Sequence, residues 1–329
     1  AVNSPYYLNS PVTVQQGVRL TIDPGVQVLA NTTNSSIVVH GEIHSLGTTA
    51  NPVFIGVNPS VSWAYNSGYW NGIQGQNPSQ GNAPLLMRNT TVSGPTNYWY
   101  TPGQSWTGGN SDLFNFRYFL RVNSHSIIDN VTIQNGKDVR IEPDTSSPSM
   151  SYSIENLTLD NISYVRGSGS SFYNSCNGDW RDALSVLRSG VYLDYSTYMS
   201  TSTSYCNYLG RPVFDGWTFD RSDVHLYTSG TWNTATASNP TWFSGTFTDT
   251  AVHIDSSSGF NGVLQLREST FNATGSPTAT AWAYSQFAYQ RGTAFITAGS
   301  SSYGKWIVTN NTFAPTSGWT GIDYTYQNN

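Results

Sequence analysis

Apolar and polar residues alternate in short runs along most of the chain, and Gly, Ser, Asn and Asp gather between the runs. Period-2 alternation is the mark of a strand with one buried face. The residues between the runs are those that turns require. One pattern recurs as Asn-x-Thr-apolar or a variant of it: IDNVTIQN (128–135), IENLTLDN (154–161), FDGWTFDR (214–221), FSGTFTDT (243–250), QLRESTFNA (265–273) and VTNNTFAP (308–315), with a weaker MRNTTVSG (87–94) before them. Its threonines stand at 91, 132, 158, 218, 246, 270 and 312, so the gaps are 41, 26, 60, 28, 24 and 42. A second strand pattern follows in several copies: DVRIE from 138, GVYLD from 190, DVHLY from 223, AVHID from 251, TAFIT from 293 and, more loosely, GIDYT from 321.

A shift of 28 positions lays 212–230 on 240–258. Thr218 then meets Thr246, Phe219 meets Phe247, Val224 meets Val252, His225 meets His253 and Leu226 meets Ile254. Two or three short strands in a period of 24 to 28 residues predict an all-β chain built as stacked coils, each burying its apolar positions against the next. The long gaps mark either coils with inserts or coils whose signature has decayed. A β-sandwich or propeller is the competing architecture, although propeller repeats run to about 40 residues or more. Long amphipathic helices are absent from the pattern, and one short helix is expected over 179–190, DWRDALSVLRSG, with a basic last turn and a glycine stop.

The stretch 10–57, SPVTVQQGVRLTIDPGVQVLANTTNSSIVVHGEIHSLGTTANPVFIGV, and then YWNGIQ (69–74), carry a more specific signal. With Gly17, Leu20, Ile22, Pro24, Gly25, Gly41, Gly47, Thr48, Pro52, Phe54, Trp70, Gly72 and Ile73 in place, this third of the chain resembles right-handed parallel β-helix proteins of the pectate-lyase-like superfamily, of the archaeal or bacterial cell-surface kind. The resemblance implies a single right-handed β-helix over 1–329, with 1–10 as an N-terminal cap or exchange segment and 94–120 and 166–212 as loop inserts. Gly17 and Gly25 would serve tight turns, and Pro24 would set the turn before Gly25. The resemblance speaks for fold and hardly at all for activity, since the same coils serve enzymes, adhesins and surface-layer components.

Composition narrows the function classes. Charged residues make up 10% of the 329 positions, against about a quarter in typical soluble chains, and the formal net charge is −5. Lysine occurs only at Lys137 and Lys305, so no basic stripe exists for nucleic acid. A surface poor in carboxylates suits an acidic medium or a glycan-covered exterior. Cys176 and Cys206 lie 30 positions apart, which in a secreted chain reads as a disulfide, two buried thiols being the alternative. No apolar run approaches a membrane span of about 20 residues. The opening AVNSPYYLNS reads as a mature terminus after processing.

The second strand supplies the strongest candidate site. If its apolar residues point inward, Arg140, Tyr192, His225 and His253 fall in one outward column, and Glu142, Asp194, Tyr227 and Asp255 in the next. His225, His253, Asp255 and Arg140 are therefore the weak candidates for acid–base chemistry or ligand binding, weighed against ordinary polar residues on a strand face. Asp215, Asp220 and Asp223 form an acidic group at a turn, where acids are common for backbone reasons. The superfamily's polyuronide-cleaving enzymes carry Asn-x-Asp, Asp-Asp, Gly-His-Gly and Arg-x-Lys, or Arg-x-Pro-x-x-Arg; none is present. Aromatic residues cluster at Trp63, Tyr65, Tyr69, Trp70, Tyr98, Trp99, Tyr100 and Trp106, either as a sugar platform or interface or as rings filling a satellite core. Eight glycosylation sequons stand at Asn31, Asn34, Asn89, Asn130, Asn156, Asn161, Asn272 and Asn310. In 130–132, 156–158 and 310–312 the Asn and Thr share the outward face, where they would accept a glycan or form a hydrogen-bonded ladder.

These features point to a non-catalytic extracellular or cell-surface structural protein: a filament subunit, surface-layer component or adhesin that associates with copies of itself and is glycosylated. No cofactor or metal is expected for that role. A polysaccharide lyase or glycoside hydrolase acting on an acidic glycan, with calcium if a lyase, is the first alternative, and a carbohydrate-binding adhesin the second.

Overall fold

The computed structural model describes residues 4–61, 70, 72–75, 85–94, 126–141, 152–168, 184–187, 190–194, 212–228, 241–256, 263–275, 294–298, 305–315 and 318–323. Among these the chain is all-β, and its strands pair in parallel. They fall into two compact units, one running from β1 into β11 and the other from β12 onward.

The first unit holds β1 (Tyr6–Leu8), β2 (Val12–Val14), β3 (Arg19–Ile22), β4 (Gln27–Ala30), β5 (Ile37–Val39), β6 (Glu42–Leu46), β7 (Val53–Val57), β8 (Ile73–Gly75), β9 (Leu85–Ser93), β10 (Ser126–Ile141) and β11 (Tyr152–Ser168). Three columns of parallel strands form. One takes β1, β4, β7, the second half of β9 and the middle of β10; Val28, Ile55, Val92 and Ile133 stand opposite one another along it, and all are buried. A second takes β3, β6 and the first halves of β9 and β10, with Ser45, Met87 and Ile128 in register. The third takes β2, β5 and β8. Alternation explains the faces: along β6 the odd positions Ile43 and Ser45 are buried, while Glu42, His44 and Leu46 are half-buried. Gly17 and Gly25 adopt φ of 76° and 74°, the left-handed turns expected of them.

The second unit holds β12 (Leu184–Leu187), β13 (Gly190–Asp194), β14 (Pro212–Asp220), β15 (Asp223–Thr228), β16 (Thr241–Thr248), β17 (Ala251–Ser256), β18 (Val263–Arg267), β19 (Thr270–Asn272), β20 (Ala294–Ala298), β21 (Lys305–Thr309), β22 (Thr312–Ala314) and β23 (Thr320–Asp323). Its registers are those of the 28-residue offset: Thr218 opposite Thr246, Phe219 opposite Phe247, Val224 opposite Val252, His225 opposite His253 and Leu226 opposite Ile254. The column continues to Thr270 and Phe271, then to Thr312 and Phe313. The long gap of 42 is thus one step with an insert, as is the gap of 41 between Thr91 and Thr132.

The phenylalanines of this column stack inside the unit. Ring centroids lie 4.9 Å apart for Phe219–Phe247, 4.7 Å for Phe247–Phe271 and 4.9 Å for Phe271–Phe313, with interplanar angles of 2°, 7° and 11°. That spacing is the separation of neighbouring strands, about 4.8 Å. Parallel pairing in register therefore imposes the stack. Trp319 adds a ring 4.7 Å from Phe295 and donates its Nε1 hydrogen to the Gly275 carbonyl at 2.9 Å.

One expected element is corrected. Residues 184–187, inside the expected helix, form strand β12, in which Ser185 pairs with Thr218 and Val186 with Phe219. The helical cues were local, whereas Val186 pairs in register with Phe219 on the column of phenylalanines; strand pairing outweighs a propensity difference of a few tenths of a kcal/mol per residue. Ser185 is also the missing member of the threonine series across the gap of 60. Two strands, β12 and β13, thus lie within the stretch read as an insert, 166–212. Tyr6–Leu8, within the expected cap, pairs with β4 as a strand.

Candidate functional site

The second-strand column is set by backbone register. Tyr192 stands opposite His225, His225 opposite His253, His253 opposite Thr297 and Thr297 opposite Asp323. In the adjacent column Asp194 stands opposite Tyr227 and Tyr227 opposite Asp255. The two histidines are direct neighbours because both strands open with Asp/Ala-Val-His, and Val224 and Val252 are buried. His253 is half-buried. Arg140 lies in β10, in the first unit, and the described registers do not align it with His225 or His253. Among the described residues no group of three or more His, Cys, Asp and Glu is placed to hold a metal ion, and no helix is long and apolar enough to cross a membrane.

The corners between strands carry a feature the sequence hints at. The residue two before the signature threonine takes a left-handed conformation in six of the seven copies, at Asn89 (φ 41°), Asn130 (52°), Asn156 (51°), Gly216 (68°), Glu268 (54°) and Asn310 (56°). Asparagine tolerates this region better than most residues because its short amide bonds locally. The amides also stack: Asn130 Nδ2 donates to Asn89 Oδ1 at 2.7 Å, and Asn89 Nδ2 donates to the Gly47 carbonyl at 3.1 Å. Gly47 is required there, since a Cβ would stand 2.2 Å from the Asn89 carbonyl oxygen. A second ladder runs from Asn58 Nδ2 to Asn31 Oδ1 at 2.8 Å and from Asn31 Nδ2 to Asn9 Oδ1 at 2.9 Å. Sequence reasoning missed it, although the spacings 9–31 and 31–58 equal those of Tyr6–Val28 and Val28–Ile55.

The sequons therefore divide. Asn31 and Asn89 engage both amide atoms in ladders, and Asn130 donates into one. Asn34, Asn156 and Asn310 are exposed, and Asn272 is half-buried. The side chain of Asn161 lies outside the described residues. Small polar residues are buried behind the corners: Ser45 and Thr90 share a hydroxyl hydrogen bond at 2.7 Å, and the Ser222 amide donates to Thr250 Oγ1 at 3.1 Å. Asp249, buried and with φ of 47°, accepts from the Thr274 amide at 2.7 Å, the Gly275 amide at 2.9 Å and the Thr274 hydroxyl. This carboxylate is spent on holding a turn.

An ion cluster lies on the first unit. Arg19 Nε donates to Glu42 Oε2 at 2.7 Å, and His44 Nε2 stands 3.2 Å from the same oxygen. The Arg19 hydrogen bond, with the charges of Arg19 and His44, lowers the Glu42 carboxyl below its ordinary value. Of the aromatic cluster, Trp70 is fully buried, so this ring fills core and is no sugar platform. Trp63, Tyr65, Tyr69, Tyr98, Trp99, Tyr100 and Trp106, as well as Cys176, Cys206 and Glu142, lie outside the described residues. Asp220 is half-buried and accepts from the adjacent Arg221 at 2.7 Å, a turn contact.

No protein-family model, curated protein or solved structure matches the chain. The geometry has to speak for itself. It commits asparagines, buried hydroxyls and Asp249 to holding corners, and phenylalanines to the interior stack.

Proposed function

We propose that the chain is a non-catalytic structural protein of a cell exterior, wound as coils of a right-handed parallel β-helix, glycosylated and associating with copies of itself. The observation that carries the reading is the register of like on like: Thr218, Thr246, Thr270 and Thr312 outward, and Phe219, Phe247, Phe271 and Phe313 inward. Such columns make a uniform, extensible body, and a crossover connection between parallel strands of one sheet is right-handed in about 98% of cases. The neutral outward face of hydroxyls and amides, the exposed sequon residues Asn156 and Asn310, and the low charge support an exterior location. Adjacent His225 and His253, with Asp255 on the strand of the latter, keep a second reading in view: cleavage of an acidic glycan.

Electron microscopy of the purified chain, with intact-mass measurement of material from a glycosylating host, tests the proposal. Repeating assemblies and added hexose mass are expected. Isolated particles that depolymerise a uronic-acid polysaccharide, with activity abolished by His253→Ala, would establish the enzyme reading in its place.

A further inference from the structure

Each strand of a stacked coil buries its apolar positions against a neighbour on either side. Two sets of strands have only one neighbour among the registers described. In the first unit β1, β2 and β3 pair with β4, β5 and β6 and show no further register. In the second unit β21, β22 and β23 pair with β18, β19 and β20 and likewise show none.

Burial records the missing neighbour at both edges. Tyr6 is 49% exposed where Val28 opposite it is 8%, and Val12 is 41% exposed where Ile37 opposite it is 1%. With Tyr7 and Val18, these are the exposed large hydrophobic side chains among the described residues, and all four fall on β1, β2 or the turn before β3. At the other edge Phe313, Val308 and Ile322 are half-buried, whereas Phe271, Leu266 and Ile296 opposite them are buried.

We propose that the β1–β2–β3 edge of one molecule joins the β21–β22–β23 edge of a second copy, head to tail. The proposal rests on the self-associating reading above and names its surface. A parallel strand needs a partner that runs the same way and offers the opposite edge. The chain carries both edges, three strands each, and both bring uncovered apolar residues; pairing two like edges would run the strands antiparallel. The joint is therefore heterologous and repeats into a filament unless it closes into a ring. Open strand edges with apolar side chains are the usual templates for such addition.

The test uses the whole chain, 1–329, followed by sedimentation and electron microscopy over a concentration series. Val12→Asp disables the first edge and Ile322→Asp the second, with circular dichroism confirming the fold. Tyr6→Asp and Ala314→Arg replace them where either fails that check. Each single variant is expected to lose elongation, and a mixture of the two is expected to stop at pairs, since only one intact joint remains. Elongation of both variants as in the parent chain would overturn the joint and leave self-association standing. A parent chain that stays monomeric throughout would overturn both.

Discussion

Asn89 shows how a single residue serves conformation and pairing at once. Its φ of 41° asks for a residue at ease in the left-handed region, and its amide links Gly47 to Asn130. Asn89→Gly keeps the first and removes the second; Asn89→Ala removes both. Urea unfolding is expected to show a loss of about 1 kcal/mol for the glycine variant and a further loss of about 1 kcal/mol for alanine. Equal losses would deny the backbone contribution. Glu42 offers a residue-scale effect of pH. Its carboxyl is lowered in the folded protein, chiefly by the Arg19 hydrogen bond, so the unfolded chain takes up the proton first as pH falls. The stabilisation is present above the unfolded value of about 4.3 and is lost as pH falls through the folded value. Both partners are partly exposed, so the effect is at most about 1 kcal/mol. Arg19→Gln is expected to lower stability at pH 7 by no more than that amount and to flatten the acid-side slope, parent and variant converging at low pH where Glu42 is protonated, read by urea midpoints across the range.

Among elements, the phenylalanine column sets the strongest expectation. Phe247 is fully buried and stacked on both faces, at 4.9 Å and 4.7 Å. Phe247→Ala is expected to cost about 3 to 5 kcal/mol through the cavity it leaves between two rings. Thr246→Ala, one residue away on the outward face, should stay within about 0.5 kcal/mol. Chemical denaturation compares them, and equal losses would contradict a stacked interior. This column was legible in the sequence because Thr-Phe pairs recur at the offset that pairing uses. Strand β12 was not: its leucines, with Arg188 just after them, mimic a helix turn, and Val186 in place of phenylalanine hides the signature. The His225–His253 neighbourhood was legible for the same reason as the phenylalanines. Its extension to Arg140 stays an expectation, since the described registers of β10 end at Gln134, short of that residue. The asparagine ladders hid behind sequons, because one Asn-x-Thr pattern encodes both a glycan acceptor and a left-handed corner followed by an outward threonine.

For the whole molecule, scarcity of charge bears on how copies would meet in the proposed joint. Charged residues are 10% of the chain, and on the six edge strands they are Arg19, Lys305 and Asp323. Arg19 already pairs with Glu42 within its own unit. A joint made of Tyr6, Val12, Val308, Phe313 and Ile322 draws on apolar burial and strand pairing, neither of which sodium chloride screens. Sulfate, excluded from protein surface, strengthens burial, and cooling weakens it. Light scattering of the chain is therefore expected to change little between about 0.05 and 0.5 M sodium chloride, where the Debye length falls from about 14 to 4 Å. It should rise in ammonium sulfate of matched ionic strength, and fall reversibly on cooling. Dissolution of the assemblies by sodium chloride alone would mean that ion pairs, with Arg19 or Asp323 the residues to replace, hold the copies together. The apolar edges would then be bystanders to a joint made elsewhere on the same strands.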